Sequence, residues 1–193
     1  MSKLLIFSFV LTLAGCSLFG KDDDVFQGEI SARMNGQAWP DSSRYALGNA
    51  QISSSVEEGV WILLNTYNQQ GLVRETIEFP HLPKPVERYQ LARTYIFVGE
   101  ERSTWPYRTV VDDGDGGGDR YWIDETADNY VTIIAYDSTT GRVTGAFAFT
   151  AIIDTTVRSS MLSASPDTIR FTEGRFELPL VDRRAVKFST KML

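Results

Sequence analysis

The densest run of chemistry-bearing side chains is "DDGDGGGD", Asp112 to Asp119, four carboxylates on a glycine-rich stretch. Calcium takes six to eight oxygen ligands in a flexible geometry, and Asp113, Asp115 and Asp119 are the candidate ligands for such an ion. Their order differs from the helix–loop–helix calcium loop, which alternates acids, then places a glycine, then a distal glutamate. The competing expectation is a solvated hairpin tip between "WPYRTVV" and "RYWIDE", since glycine-rich tips tolerate change. Four aromatic residues flank the run: Trp105 and Tyr107 before it, Tyr121 and Trp122 after it. Aromatic faces beside carboxylates suit a sugar ring, which makes these four the candidate ligand-binding set. The same four also read as cross-strand pairs within a hairpin.

Catalytic arrangements find little support. The one histidine, His81, stands in "FPHLPKP", whereas a Ser-His-Asp or Cys-His mechanism needs it beside a nucleophile. No G-x-S-x-G elbow occurs, and a zinc site needs three or four His, Cys or carboxylate ligands. Glycoside hydrolysis needs two carboxyl groups about 5 to 9 Å apart. With 25 acids in the chain, the sequence nominates no pair.

The one cysteine, Cys16, lies in "LTLAGCS". Before it come Lys3 as a short positive segment and the uncharged apolar run Leu4 to Gly15. A spanning helix needs about 20 apolar residues, so this shorter N-terminal run reads as the apolar core of an export signal. Leu13-Ala14-Gly15-Cys16 resembles the bacterial lipobox. That resemblance implies a diacylglycerol thioether on Cys16, cleavage before it, and acylation of the new amino group by chains such as palmitate. One acyl chain anchors marginally, and two or three anchor durably. With no second cysteine, no disulfide can form within the chain.

Residues 1–15 are therefore expected as a signal peptide, 16–25 as a lipidated acidic tether and 26–193 as one domain. Ser17 follows the cysteine where an aspartate would be a retention mark, which by resemblance to the sorting rules of bacteria with two membranes implies the outer membrane. Asp22-Asp23-Asp24 resembles the export tag of Bacteroidota surface lipoproteins and implies display at the cell surface, the periplasmic face being the other possibility. The same run serves as an extended tether, since like charges repel.

The chain of 193 residues carries 19 Lys and Arg against 25 Asp and Glu, a formal charge of −6. Phosphate-backbone binding relies on clustered basic residues, so nucleic acid is set aside as a partner. The expected partners are the membrane, through the lipid, and an envelope protein or a glycan. The apolar fraction of 42% suffices for one sizeable core.

The elements that must position these residues read as β. Short runs of Val, Ile, Thr, Tyr, Phe and Trp alternate with Gly, Pro, Asn and Asp clusters, and no segment keeps a helical apolar period between caps. "YVTIIAYDSTTGRVTGAFAFTAII", residues 130 to 153, predicts a hairpin reversing at Asp137 to Gly141. Val131, Ile133 and Ala135 share one side of its first run. Val143, Gly145, Phe147, Phe149 and Ala151 form the core face of its second. Further strands are expected over 28–34, 44–53, 59–67, 73–79, 93–99, 168–178 and 185–190, with a turn at Asn35-Gly36 and a rigid loop over Phe79 to Pro85. Nine or ten such strands predict a single antiparallel β-sandwich, with a closed lipocalin-like β-barrel as the alternative.

"FQGEISARMNGQAWP", "YVTIIAYDSTTGRVTGAFAFTA" and "IRFTEGRFELPL" form an ordered trio. The trio resembles uncharacterised lipoprotein families of Bacteroidota, through Phe26, Ala32, Asn35, Gly36 and Trp39, then Val131, Tyr136 and Asp137, then Val143, Gly145, Phe147, Phe149 and Ala151, and finally Thr172, Gly174 and Phe176. The elements cover about a third of the chain. The resemblance implies an exported, β-rich lipoprotein and carries no activity to transfer. The expected role is a non-enzymatic binding or accessory domain tethered to the outer membrane. A surface carbohydrate-binding domain is the alternative, and a carboxylate-dependent hydrolase follows it.

Overall fold

The computed structural model describes residues 28–52, 59–83, 86–97, 100–111, 116–137, 139–157 and 165–182. The expected strand over 185–190, the signal and tether segments with Cys16, and Asp113 and Asp115 lie outside the described residues. Among the described residues there are thirteen strands and no helix. The protein is all-β.

One layer contains β1 (Glu29–Met34), β2 (Gln37–Trp39), β6 (Arg88–Gln90), β11 (Tyr130–Asp137), β12 (Arg142–Ile153) and β13 (Thr168–Asp182). The other contains β3 (Tyr45–Ile52), β4 (Gly59–Tyr67), β5 (Val73–Pro83), β9 (Tyr107–Val111) and β10 (Gly116–Ile123). β7 (Thr94–Phe97) and β8 (Glu100–Ser103) make a separate two-stranded ribbon. The layers are joined at two corners, where β10 pairs with β12 and β13 pairs with β3. Because β12 also pairs with β13 along most of its length, the order β13-β3-β4-β5-β9-β10-β12 closes on itself. The fold thus has the layering of a sandwich and the continuous hydrogen-bond circuit of a barrel.

Aromatic rings from both layers fill the space between them. Phe79 of β5 lies 5.5 Å from Phe147 and 6.0 Å from Phe149 of β12. Phe171 of β13 lies 4.8 Å from Phe149, 5.3 Å from Trp39 and 5.4 Å from Tyr107. Strict alternation in β12 produces this: Val143, Gly145, Phe147, Phe149 and Ala151 are all buried, as their spacing predicts. Gly145 and Gly174 make the ring packing possible. A Cβ on Gly145 would stand 2.2 Å from Cζ of Phe176, and one on Gly174 would stand 2.6 Å from Cδ2 of Phe147.

The predicted turns form as their residues dictate. Asn35 at φ 51° and Gly36 at φ 80° reverse β1 into β2, and the Asn35 Oδ1 accepts from the Arg170 N–H at 2.8 Å. Asp137 Oδ1 accepts from the Thr139 and Thr140 N–H groups at 2.8 and 3.2 Å, and Gly141 takes φ 64°.

Four expectations are corrected. Ala135 does not share the inward side with Val131 and Ile133: a bulge between Ile133 and Ala135 shifts the register and leaves both Ile134 and Ala135 exposed. Residues 79–83 are not a loop but the end of β5. β9 accompanies β5 from Glu75 to Ile77 and the Glu78 N–H still donates to the Pro106 carbonyl at 2.9 Å, but from Phe79 onward the strand's ladder is with β4 and proline is tolerated. The sheet is not antiparallel throughout, because β13 pairs in parallel with β3 from Leu180 to Asp182. Pro179 sits where β13 leaves β1, paired up to Glu177, for β3, starting at Leu180. A residue without an N–H fits that change of partner. The strands are also more numerous than expected, since β2, β6 and β8 are too short to show a period.

Candidate functional site

Tyr107 and Tyr121 are opposite partners across β9 and β10, their rings 5.3 Å apart. Both point inward, at 3% and 1% exposure. Tyr107 donates to Glu75 Oε1 at 2.8 Å, and Tyr121 to the carbonyl of Pro166 at 2.9 Å. Of the four aromatic candidates, these two are core residues that present no ring face to a ligand. A side chain one position away along a strand points to the opposite face, and the outer face of this layer is where the rest of the set stands.

Trp122, between inward Tyr121 and Ile123, projects outward. Trp105, just before β9, packs against it at 5.0 Å between ring centroids, with 38° between planes. Both rings are half-buried. Arg120 lies with its guanidinium carbon 4.6 Å from the Trp105 ring, a cation–π contact. Asp154, in the turn after β12, closes the group: its Oδ2 accepts from Trp105 Nε1 at 3.2 Å. Its Oδ1 accepts from the Thr156 N–H and hydroxyl at 2.9 and 2.6 Å. The Thr156 hydroxyl first, then its N–H and the Trp105 and Trp122 indoles, hold the Asp154 carboxyl below the usual carboxylate range against the upward push of burial. The site is therefore anionic at one corner and keeps the indole edges oriented.

The same face extends sideways. Arg108 stands directly opposite Arg120 in the β9–β10 register and is exposed. Thr76 stands opposite Arg108, and Asn65 opposite Thr76, and the Thr76 hydroxyl donates to Asn65 Oδ1 at 3.0 Å. Glu78 lies two residues along β5 from Thr76 and interacts with Arg108 and with the Trp61 indole. Burial pushes its carboxyl up, against the lowering effect of those two partners. Three of the four tryptophans, Trp61, Trp105 and Trp122, thus share one outward face, and the fourth, Trp39, is in the core.

The interior holds a second polar constellation, which sequence reasoning missed. Glu75, buried between the layers, accepts from Trp39 Nε1 at 2.8 Å and the Thr66 hydroxyl at 3.0 Å through Oε2. Through Oε1 it accepts from Tyr107 at 2.8 Å and pairs with Arg44 Nη1 at 2.9 Å. Burial, then the neighbouring Glu75 charge, pushes the Tyr107 phenol well above its ordinary value. A carboxylate whose two oxygens are each engaged by two donors is poorly placed to take a proton from a substrate. This group ties β2, β4, β5 and β9 together.

The acidic run divides. Asp119 is fully buried at a bulge where β9 and β10 slip register, and its N–H donates to the Thr109 hydroxyl at 2.8 Å. It is part of the hairpin wall rather than of its tip. Among the described residues no group of three or more His, Cys, Asp or Glu could hold a metal ion. His81 is in β5 rather than a loop, at φ 58°, beside a cavity of about 190 Å³ lined by Phe79, Leu82, Tyr89, Leu91 and Ile123. Burial lowers the pKa of its imidazole, so it favours the neutral form. Among the described residues no helix is long and apolar enough to cross a membrane.

Comparison of the chain with protein-family models, curated proteins and solved structures finds no match in any of the three.

Proposed function

We propose that the chain is a non-enzymatic binding domain of the bacterial outer envelope, held to the membrane by lipid on Cys16 and extended from it by the acidic tether. Its ligand is carbohydrate, and its binding surface is the outer face around Trp105 and Trp122. The observation that carries this reading is the partly exposed Trp105–Trp122 pair, its rings 5.0 Å apart and tilted at 38°, bracketed by the charged groups of Arg120 and Asp154. Ring faces pack against the C–H faces of a pyranose, and the flanking charged groups supply hydrogen bonds to its hydroxyls. That is the pairing of apolar platform with a few placed polar groups that small-molecule sites use. The lipobox resemblance and the ordered motif trio support the envelope address and the proposed kinship with Bacteroidota lipoproteins.

The test is binding of cellohexaose, xylohexaose and hexagalacturonate to the lipidated protein in detergent micelles, followed by tryptophan fluorescence and calorimetry. Saturable binding is expected for at least one. Trp122→Ala should then weaken it about 30-fold or more, since truncating a central Trp anchor costs about 2 kcal/mol or more. Binding unaffected by Trp105→Ala and Trp122→Ala would place the ligand elsewhere, and silence from all three sugars would overturn the reading.

A further inference from the structure

From the placement of two arginines we infer that the ligand of this face is an acidic polysaccharide, whose carboxylate-bearing (uronate) sugars are taken by Arg108 and Arg120 beside the tryptophan stack. This deepens the carbohydrate reading above and rests on it.

Folding alone disfavours the arrangement of these two side chains. Arg108 and Arg120 are direct partners in the β9–β10 register. Their neighbours Tyr107 and Tyr121 both point into the core, so both arginines project from the same outward surface. Adjacent strands are about 4.8 Å apart, and like charges directly opposite each other destabilise a sheet. Among the described residues, neither arginine is in an ion pair of the kind that joins Arg44 to Glu75 or Arg142 to Glu177. Arg120 instead lies over the Trp105 ring, and Arg108 has a charge interaction with the partly buried Glu78 of β5. Asp154 is committed to Thr156 and Trp105. A chain with a formal charge of −6 thus sets two guanidinium groups side by side on one face.

An anion resolves that repulsion. Guanidinium forks match a carboxylate with two parallel N–H donors, a geometry that lysine does not reproduce. Two forks on neighbouring strands can straddle one carboxylate or take two from successive sugars. The adjoining indoles supply the apolar platform for the rings that carry them. Arginine positioned by stacking on an aromatic ring, as Arg120 is on Trp105, has already lost part of the freedom that binding would remove. A free carboxylate or phosphate would use the arginines and ignore the tryptophans. A neutral glycan would use the tryptophans and take only hydroxyl hydrogen bonds from the arginines. A charged sugar polymer uses the rings and both guanidinium charges.

The experiment compares hexagalacturonate with its methyl ester, which keeps the sugar and masks the charge, on the lipidated protein in micelles. The expected result is at least tenfold tighter binding of the free acid, with the preference shrinking between about 50 and about 500 mM salt as the charges are screened. Arg108→Gln and Arg120→Gln should each erase most of the preference, weakening the free acid at least tenfold more than the methyl ester. Trp122→Ala should weaken both ligands alike. Arg175→Gln, on the other layer, is the control for net charge and should change nothing. Equal binding of acid and ester, or a preference that survives both arginine variants, overturns the inference and leaves the carbohydrate reading standing. Silence from both probes together with cellohexaose and xylohexaose overturns both.

Discussion

Glu75→Ala should be the most damaging single truncation of a polar side chain in this domain. The carboxylate sits between the layers and accepts from Trp39, Thr66, Tyr107 and Arg44 at 2.8 to 3.0 Å. Removing it leaves three buried neutral donors and a guanidinium without their acceptor. Breaking a buried charge pair by deleting one partner costs about 3–5 kcal/mol. Arg44 is only partly buried, with 32% of its side chain exposed, so water recovers much of its share and the loss rests mainly on the three neutral donors. About 3–4 kcal/mol is therefore expected. In a domain of this size each kcal/mol moves Tm by about 2–4 °C, which gives a drop of about 6 to 16 °C, read by circular dichroism and checked by urea denaturation. Arg44→Met should cost less, about 1 kcal/mol, because Glu75 keeps its other three donors. In the Arg44→Met background the cost of Glu75→Ala should fall by up to that amount. A loss under 1 kcal/mol for Glu75→Ala, or a larger loss for Arg44→Met than for Glu75→Ala, would refute the assignment of Glu75 as the hub.

Gly145→Ala should destabilise by about 1–3 kcal/mol, the cost of overpacking, because the new methyl meets Phe176 at 2.2 Å and the Thr132 carbonyl at 2.5 Å; thermal denaturation reads this, and an unchanged Tm would contradict the close approach. Cys16→Ser should move the protein from the membrane fraction to the soluble fraction or leave it as unprocessed precursor, visible by fractionation and intact mass; retention of a lipid-sized mass increment would exclude Cys16 as the attachment point. The Asp154 carboxyl is held below the ordinary aspartate value, so its contribution to stability is fully present above that ordinary value and is lost as pH falls through the lower folded value. Tryptophan emission should report loosening of the Trp105–Trp122 pair in that acid window, and an Asp154→Asn protein showing the same acid transition would assign it to another group.

Much of the fold was legible because period-two patterns survive wherever a strand is long and regular. β12 alternates without interruption from Val143 to Ile153, and its core face follows directly from its letters. Reading fails at bulges, which insert one residue and exchange the faces beyond it, as at Ala135. It fails also at Pro80 and Pro83, where proline suggests a loop and only the withdrawal of β9 from β5 shows why a strand can hold them. For the site, the aromatic cluster was visible but its division was not. The missing signal was in the neighbours. Arg108 follows Tyr107, and Arg120 precedes Tyr121. A strand that sends an arginine outward sends the adjacent tyrosine inward, which selects Trp105 and Trp122 for the surface. Glu75 gave no such sign, because its partners come from β2, β4 and β9 and from the segment before β3 and meet only in three dimensions.

The placement of β13 has a kinetic consequence. This strand is the last described element in the chain, and it pairs with β12, with β1 near the beginning, and with β3. The circuit therefore has no closed form until residues 168–182 are available. Pairings so distant along the chain must overcome loop-closure entropy before they return any contact energy, and topologies dominated by them fold slowly. For the proposed export through a membrane in an extended state, such slow closure would be an advantage, because the circuit stays open until β13 pairs with β12 and β3.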